Sequence, residues 1–586
     1  MTYKLLGICS AVALACAVPA AAAPADDFKA LTDEYWAFYL RENPVRASQL
    51  GVRDRDDQLG DVSIAAMDRR AAAIQRFLAR LEAIPDSGLS PADRTNKAIL
   101  RRSLASAVEG NRFGQRLMLF NNRSGWHQSI AGLSSSLTFR NAQDYDNYLK
   151  RLAAYPAYND EAIRVSQRAL AEGYTLPCAA MTGFETTISG VIPADPTQSR
   201  YYAPFREARP ANIGAAQWSA LQNRARTLID TQLRPAYAKH LAWYRSEYAP
   251  KCNPAVGVSA QPNGAAYYNH LVRQMTTTDL SADRIHRIGL DEVRRIRSEM
   301  EQVARKAGFA TREAFIQDLR TNPKYYARTP EELMQAVARE AKRIDGKMPT
   351  LFTLLPRLPY TIREIPAETA EGTTTAYYNS GSPENGIAGT YYVNTSKLDQ
   401  RPLWEVPALT VHEAVPGHHH QIALQQELPM PDWRRHGTFF TAFVEGWGLY
   451  SERLGIEMGL YDTPAKDMGR LSYEMWRATR LVVDTGLHSK GWSKQRAIDF
   501  MTDNTALSAA NIEAEVNRYI ANPGQALAYK IGELKIRELR ARAEKRLGDR
   551  FDLRRFHDAV LGQGAVPLDI LEAQIDGWIR AEAARS

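Results

Sequence analysis

The chain has 586 residues, 45% of them hydrophobic and 24% charged, with a formal net charge of +8. That is ample for a large core, and the length allows two lobes. The positive charge is spread along helical stretches such as Arg294-Arg295-Ile296-Arg297 and no nucleic-acid motif is visible, which leaves at most a mild attraction for acidic substrates.

The N-terminus reads as a secretory signal over residues 1–23. Lys4 supplies the positive segment, Leu5 to Val18 the apolar one, and Ala21-Ala22-Ala23 the cleavage site. Cys16, in Ala13-Leu14-Ala15-Cys16, offers lipid attachment as an alternative. Ala13 stands where such signals usually carry Leu, so cleavage is the preferred reading. No later stretch approaches ~20 continuous apolar residues, so no stable membrane insertion is expected. The expectation is an exported protein, periplasmic or secreted. Residues 24–586 are read as a single helical catalytic domain, with a division into lobes near 260 left open.

Helix signals dominate the mature chain. Helices are expected over 28–50, 65–81, 91–108, 143–171 and 215–246, with a proline-rich interruption from Pro193 to Pro210. Cys178 and Cys252 remain once the signal is removed, and both fall in loop-like segments. In an exported chain such a pair can form a disulfide, which is preferred here to two free thiols. Ser281 to Ala307 reads as a long helix with Ile285, Ile288, Val293, Ile296 and Met300 on its apolar side. Thr329-Pro330-Glu331-Glu332 has the pattern of a capping box and opens a helix to about Lys347.

Strand signals cluster over 360–365, 375–379 and 389–394, with a hairpin-like Ser380 to Ile387 between the last two. A strand here can pair its free N–H and C=O groups with a peptide backbone. Tyr391 and Tyr392 are therefore candidate substrate contacts.

The segment His412-Glu413-Ala414-Val415-Pro416-Gly417-His418-His419-His420-Gln421 carries the strongest chemical signal. Two imidazoles and an adjacent glutamate on one helix are the makings of a zinc site with a general base. The spacing is unusual, because Pro416 stands four residues after His412. A straight helix turns His418 about 120° away from His412 and carries His419 roughly 10 Å along the axis. A broken turn at Pro416-Gly417 restores His418 to the metal side. His418 is preferred as the second ligand, and His419 stays a competitor.

The third ligand is expected from Phe443-Val444-Glu445-Gly446-Trp447-Gly448-Leu449-Tyr450-Ser451-Glu452. Glu445 and Glu452 share one helical face, so Glu445 can bind the metal while Glu452 orients a ligand histidine. The flanking aromatic residues imply burial, where a carboxylate needs a partner. Further on, His488 lies in what reads as a glycine-flanked loop, and with Tyr519 and Tyr529 it is a candidate donor to a developing oxyanion. Arg518 is a candidate for binding a substrate carboxylate. These catalytic and binding roles compete with plain structural ones.

Taken together, H-E-x-x-P-G-H-H-x-Q, E-G-W-G-L-Y-S-E and Arg518-Tyr519-Ile520-Ala521-Asn522-Pro523-Gly524-Gln525-Ala526-Leu527-Ala528-Tyr529-Lys530-Ile531-Gly532 resemble the bacterial family catalogued as domain of unknown function 885. That family is similar in layout to helical zinc peptidases of the thimet oligopeptidase, angiotensin-converting-enzyme and thermostable carboxypeptidase types. The resemblance implies a mainly α, two-lobed fold with a deep cleft and a small β-sheet beside the metal helix. It also implies one Zn²⁺ per chain and hydrolysis of short peptides, with Glu413 as general base. A zinc hydrolase of another amide or ester and a non-catalytic envelope binding protein are the competing expectations.

Overall fold

A computed structural model describes residues 23–122, 124–371 and 373–585; the expected signal, apart from Ala23, and its Cys16 lie outside them. The fold is mainly helical with one small sheet. The expected helix over 28–50 is divided into α1 (Pro24–Glu42) and a short turn Pro44–Gln49. Pro44 brings no N–H to continue the first segment. Ser63 accepts the Ala66 N–H and starts α2 (Ile64–Ala83), and Ser90 does the same for Asp93 in α3 (Pro91–Gly110). Then come α4 (Ala142–Ala171), α5 (Ala215–Leu228) and α6 (Arg234–Trp243), the last two joined by a π turn at Ile229–Leu233.

The long helix α7 (Ala282–Lys306) is capped by Ser281, which accepts the Arg284 N–H at 3.2 Å. It buries Ile285, Val293, Ile296 and Met300, as their 3.6-residue periodicity predicts. Thr329 caps α8 (Pro330–Asp345) through the Glu332 N–H, but the Glu332 side chain turns to the Arg328 N–H, so only half of the expected box forms.

The sheet comprises β1 (Tyr360–Glu364), β2 (Ala376–Asn379) and β3 (Gly389–Val393) in the order β1-β3-β2. β3 pairs parallel to β1 and antiparallel to β2, with Tyr391 opposite both Ile362 and Tyr378. Both edges of β3 are therefore occupied, and the strand expected to receive a peptide has no free edge to offer.

Six more helices build the centre and the site: α9 (Val406–Glu413), α10 (His418–Glu427), α11 (Thr441–Leu454), α12 (Pro464–Ser489), α13 (Ala509–Ala521) and α14 (Ala528–Leu547). Every residue of α12 from Met468 to His488 is buried. Its charged residues recur at helical spacing; Arg470 pairs within the helix with Asp467 and Glu474, and the others meet partners from other elements. Glu474 meets Lys530 at 2.9 Å, Arg477 meets Glu452 at 3.0 Å, Arg480 meets Glu515 at 3.0 Å, and Asp484 accepts from Tyr268 at 2.6 Å. A helix buried all round can carry such groups only when they are paired.

The core does not divide at 260. Phe28, Leu31 and Phe77 pack in the same cluster as Trp447, Phe556 and Ile575. Residues 120–248 instead build an aromatic core of their own, including Phe120, Trp126, Tyr155, Trp218 and Trp243. Cys178 and Cys252 are bonded, closing a segment of 74 residues across this unit. Among the described residues no helix is long and apolar enough to cross a membrane.

Candidate metal centre

α9 stops at Glu413, and α10 starts at His418. The four residues between them break the axis, with a cis Val415–Pro416 peptide. The break is pinned at three points: the Gly417 N–H bonds Val411 O at 3.0 Å, the His419 N–H bonds Ala414 O at 3.0 Å, and Trp447 Nε1 donates to Pro416 O at 2.7 Å. Gly417 is required by space. A Cβ there would lie 1.9 Å from the His412 carbonyl oxygen and 2.4 Å from that of Val411. The result brings the His418 ring to 4.7 Å from the His412 ring, at 83°.

Glu445, on α11, completes the group. Its Oε2 lies 3.6 Å from His412 Nε2 and 3.4 Å from His418 Nε2, and one donor atom from each of the three residues lies within 4.8 Å of the others. Gly448 makes the approach possible, since a Cβ there would sit 2.7 Å from the His412 ring. Behind the ring, His412 Nδ1 lies 2.8 Å from Glu452 Oε1, which Arg477 contacts at 3.0 Å. Sequence reasoning reads Trp447 only as a sign of burial and does not reach Arg477. The W of E-G-W-G and the 3–4-residue spacing of charges along α12 are the signals for them.

Burial pushes the Glu445 carboxyl up, and the two imidazoles override it, holding it well below the ordinary carboxylate range. Burial pushes His412 down, and Glu445 and Glu452 reverse this, lifting it to about 9. Glu445 Oε2 is buried, with no hydrogen bond among the described residues. Two nitrogens and one carboxylate oxygen suit zinc. The Glu445 oxygen lies 3.4 and 3.6 Å from the two imidazole nitrogens, close enough for the three residues to hold one ion. Side-chain exposure is 12% at His418 and 14% at Glu445 but 3% at His412, so the site opens on the His418 side.

His419 is not in this group. One residue on from His418, it faces the sheet, where Nδ1 meets the Tyr378 hydroxyl and Nε2 the Leu358 carbonyl oxygen, each at 3.0 Å. Tyr391 is fully buried, with its hydroxyl 3.5 Å from Thr410 Oγ1 behind α9. Tyr392 stacks on Tyr377 at 4.9 Å.

The expected oxyanion donors also separate. His488 is not in a loop but in the last turns of α12, where Gly486 gives room to the Trp492 ring. Its Nδ1 accepts the Val258 N–H at 3.0 Å and its Nε2 donates to Tyr519 O at 2.9 Å, so neither nitrogen is left for a substrate. Burial pushes its pKa down, in keeping with that neutral state. The Tyr519 hydroxyl donates to Glu515 at 2.8 Å and accepts from Trp476 and Arg480 at 3.0 Å each. Arg518 is committed to Glu515 and Gln525. Of these candidates, Tyr529 has the hydroxyl proton not committed to an acceptor. Its hydroxyl accepts from Gln525 at 3.4 Å, and among the described residues nothing accepts from it. Its ring lies nearly parallel to His412, 6.4 Å away.

No curated protein matches this chain. Solved structures resemble it, among them the following two. One, from Colwellia psychrerythraea and described as a "putative lipoprotein", is 27% identical, with a TM-score of 0.87 over 95% of this chain and 100% of that one. The other, from Shewanella oneidensis and described as a "putative lipoprotein of unknown function", is 19% identical, with a TM-score of 0.71 over 94% of this chain and 99% of that one, and shares the fold. The family model for "Bacterial protein of unknown function (DUF885)" matches residues 44–575. With the expected motifs lying inside that span, the chain belongs to the DUF885 family.

Proposed function

We propose that the chain is an exported zinc-dependent peptidase. One observation carries this reading: His412, His418 and Glu445 converge with their donor atoms within 4.8 Å, and Glu413 directly follows the first of them. Bound there, zinc would supply Lewis acidity toward a substrate carbonyl. The remaining work falls to the chain's own side chains. Glu413 takes a proton from the attacking water as the oxygen bonds the carbonyl carbon. It returns that proton to the amide nitrogen as the C–N bond breaks. Tyr529 donates its hydroxyl proton in a hydrogen bond to the carbonyl oxygen while charge develops there. Glu452 keeps the His412 ring oriented from behind. A site that only stored metal would need no base beside its first ligand.

Purified mature protein is expected to hold one zinc per chain and to cut a mixed-peptide digest into new fragments seen by mass spectrometry. His412→Ala is expected to lose both. Zinc without fragments would move the substrate to another amide or an ester, and no metal in either protein would sink the reading.

The description of the Colwellia psychrerythraea structure supports lipid attachment at Cys16 over cleavage after Ala23, reversing the preference drawn from Ala13. The full-length chain is then expected in the membrane fraction, and Cys16→Ser is expected to release it. A wild-type chain found soluble with residue 24 at its N-terminus would restore simple cleavage.

A further inference from the structure

Arg480 is costlier than its ion pair requires. It is 4% exposed, and its Nη2 meets Glu515 Oε2 at 3.0 Å. That carboxylate already accepts two bonds from Arg518, at 3.1 and 2.7 Å, and one from the Tyr519 hydroxyl at 2.8 Å. A second guanidinium is not needed to neutralise it, and burying one is expensive. Arg480 Nη1 has no acceptor among the described residues. What the guanidinium does have is faces. Its carbon lies 4.5 Å from the Trp476 ring centroid and 4.3 Å from that of Tyr529.

Tyr529 needs such a support. Its hydroxyl has one long bond, from Gln525 at 3.4 Å, which fixes the ring poorly. Arg480 is itself anchored by Nε on the Tyr519 hydroxyl at 3.0 Å and by Trp476. A planar cation over an aromatic face holds both groups in register.

We propose that Arg480 is a positioning residue, clamping the Tyr529 ring in the plane from which its hydroxyl reaches the carbonyl oxygen. The use of that hydroxyl rests on the peptidase reading, whereas the clamp itself does not. The two are separated by fluorine NMR of protein grown on 3-fluorotyrosine, with the Tyr529 resonance assigned by its absence in Tyr529→Phe. In Arg480→Met that resonance is expected to shift and broaden at unchanged zinc content. kcat on a peptide is expected to fall about 10- to 100-fold with KM held. The double variant Tyr529→Phe with Arg480→Met is expected to lose no more than Tyr529→Phe alone.

Glu515 keeps Arg518 in this variant, so no buried acid is orphaned. Should Arg480→Met still fail to fold, Arg480→Lys keeps the charge without the plane and is expected to disturb the same resonance. An unmoved Tyr529 resonance overturns the clamp whatever the activity, and so do losses that multiply in the double variant. A moved resonance in a zinc-loaded protein that cuts no peptide leaves the clamp standing and removes the peptidase reading.

Discussion

Glu413→Gln is expected to keep its zinc and to lose about 10²- to 10⁴-fold in kcat, the range a positioned general base supplies. Glu413 is the last residue of α9 and stands outside the three-donor group, so its removal takes away no ligand. It is only 8% exposed. Glutamine preserves the shape and the polarity and cannot carry the proton from water to the leaving nitrogen. KM should stay near the wild-type value, since the interaction lost belongs to the transition state. Metal analysis beside steady-state kinetics reads both quantities. Full activity in this variant would remove Glu413 from the mechanism.

Gly417→Ala is expected to strip the metal and to destabilise the fold by more than about 4 kcal/mol, the range reached by severe steric insults in a core. The clash is with backbone, at 1.9 Å from His412 O and 2.4 Å from Val411 O, and backbone cannot swing aside. Relief requires the α9–α10 break to open, which carries His418 away from a Glu445 oxygen only 3.4 Å off. Gly214→Ala, where an added Cβ meets nothing within 4 Å, is the matched control and should leave zinc and thermal midpoint close to wild type. Full zinc occupancy in Gly417→Ala would show that the break does not place His418.

The convergence of His412, His418 and Glu445 is legible in the chain because proline and glycine mark the break and because ligand chemistry restricts the residue types. Glu452 is legible from its seven-residue spacing to Glu445. The strands are legible from their β-branched and aromatic content, but their order is not, so the central place of β3 and the loss of its free edges come only from tertiary pairing. His488 misleads because its two flanking glycines read as a loop, whereas Gly486 is a packing site for Trp492 inside a helix. Tyr519 and Tyr529 look alike along the chain. Only the surrounding donors and acceptors reveal that one hydroxyl is committed and the other is not. Arg477 and Arg480 escape notice for the reverse reason: charges at helical spacing usually mark a solvated face, and here they line a helix buried on every side.

The Cys178–Cys252 bond ties final stability to the compartment in which the chain matures. Closing a segment of 74 residues removes on the order of 4 kcal/mol of unfolded-chain entropy. That constraint exists only after oxidation, and a reducing cytosol withholds it. On the proposed export, a newly synthesised chain is thus at its weakest before it crosses the membrane, and it tightens around the aromatic unit once it is across. Recombinant protein matured in a reducing cytosol will carry the same sequence and the same site on a slacker scaffold.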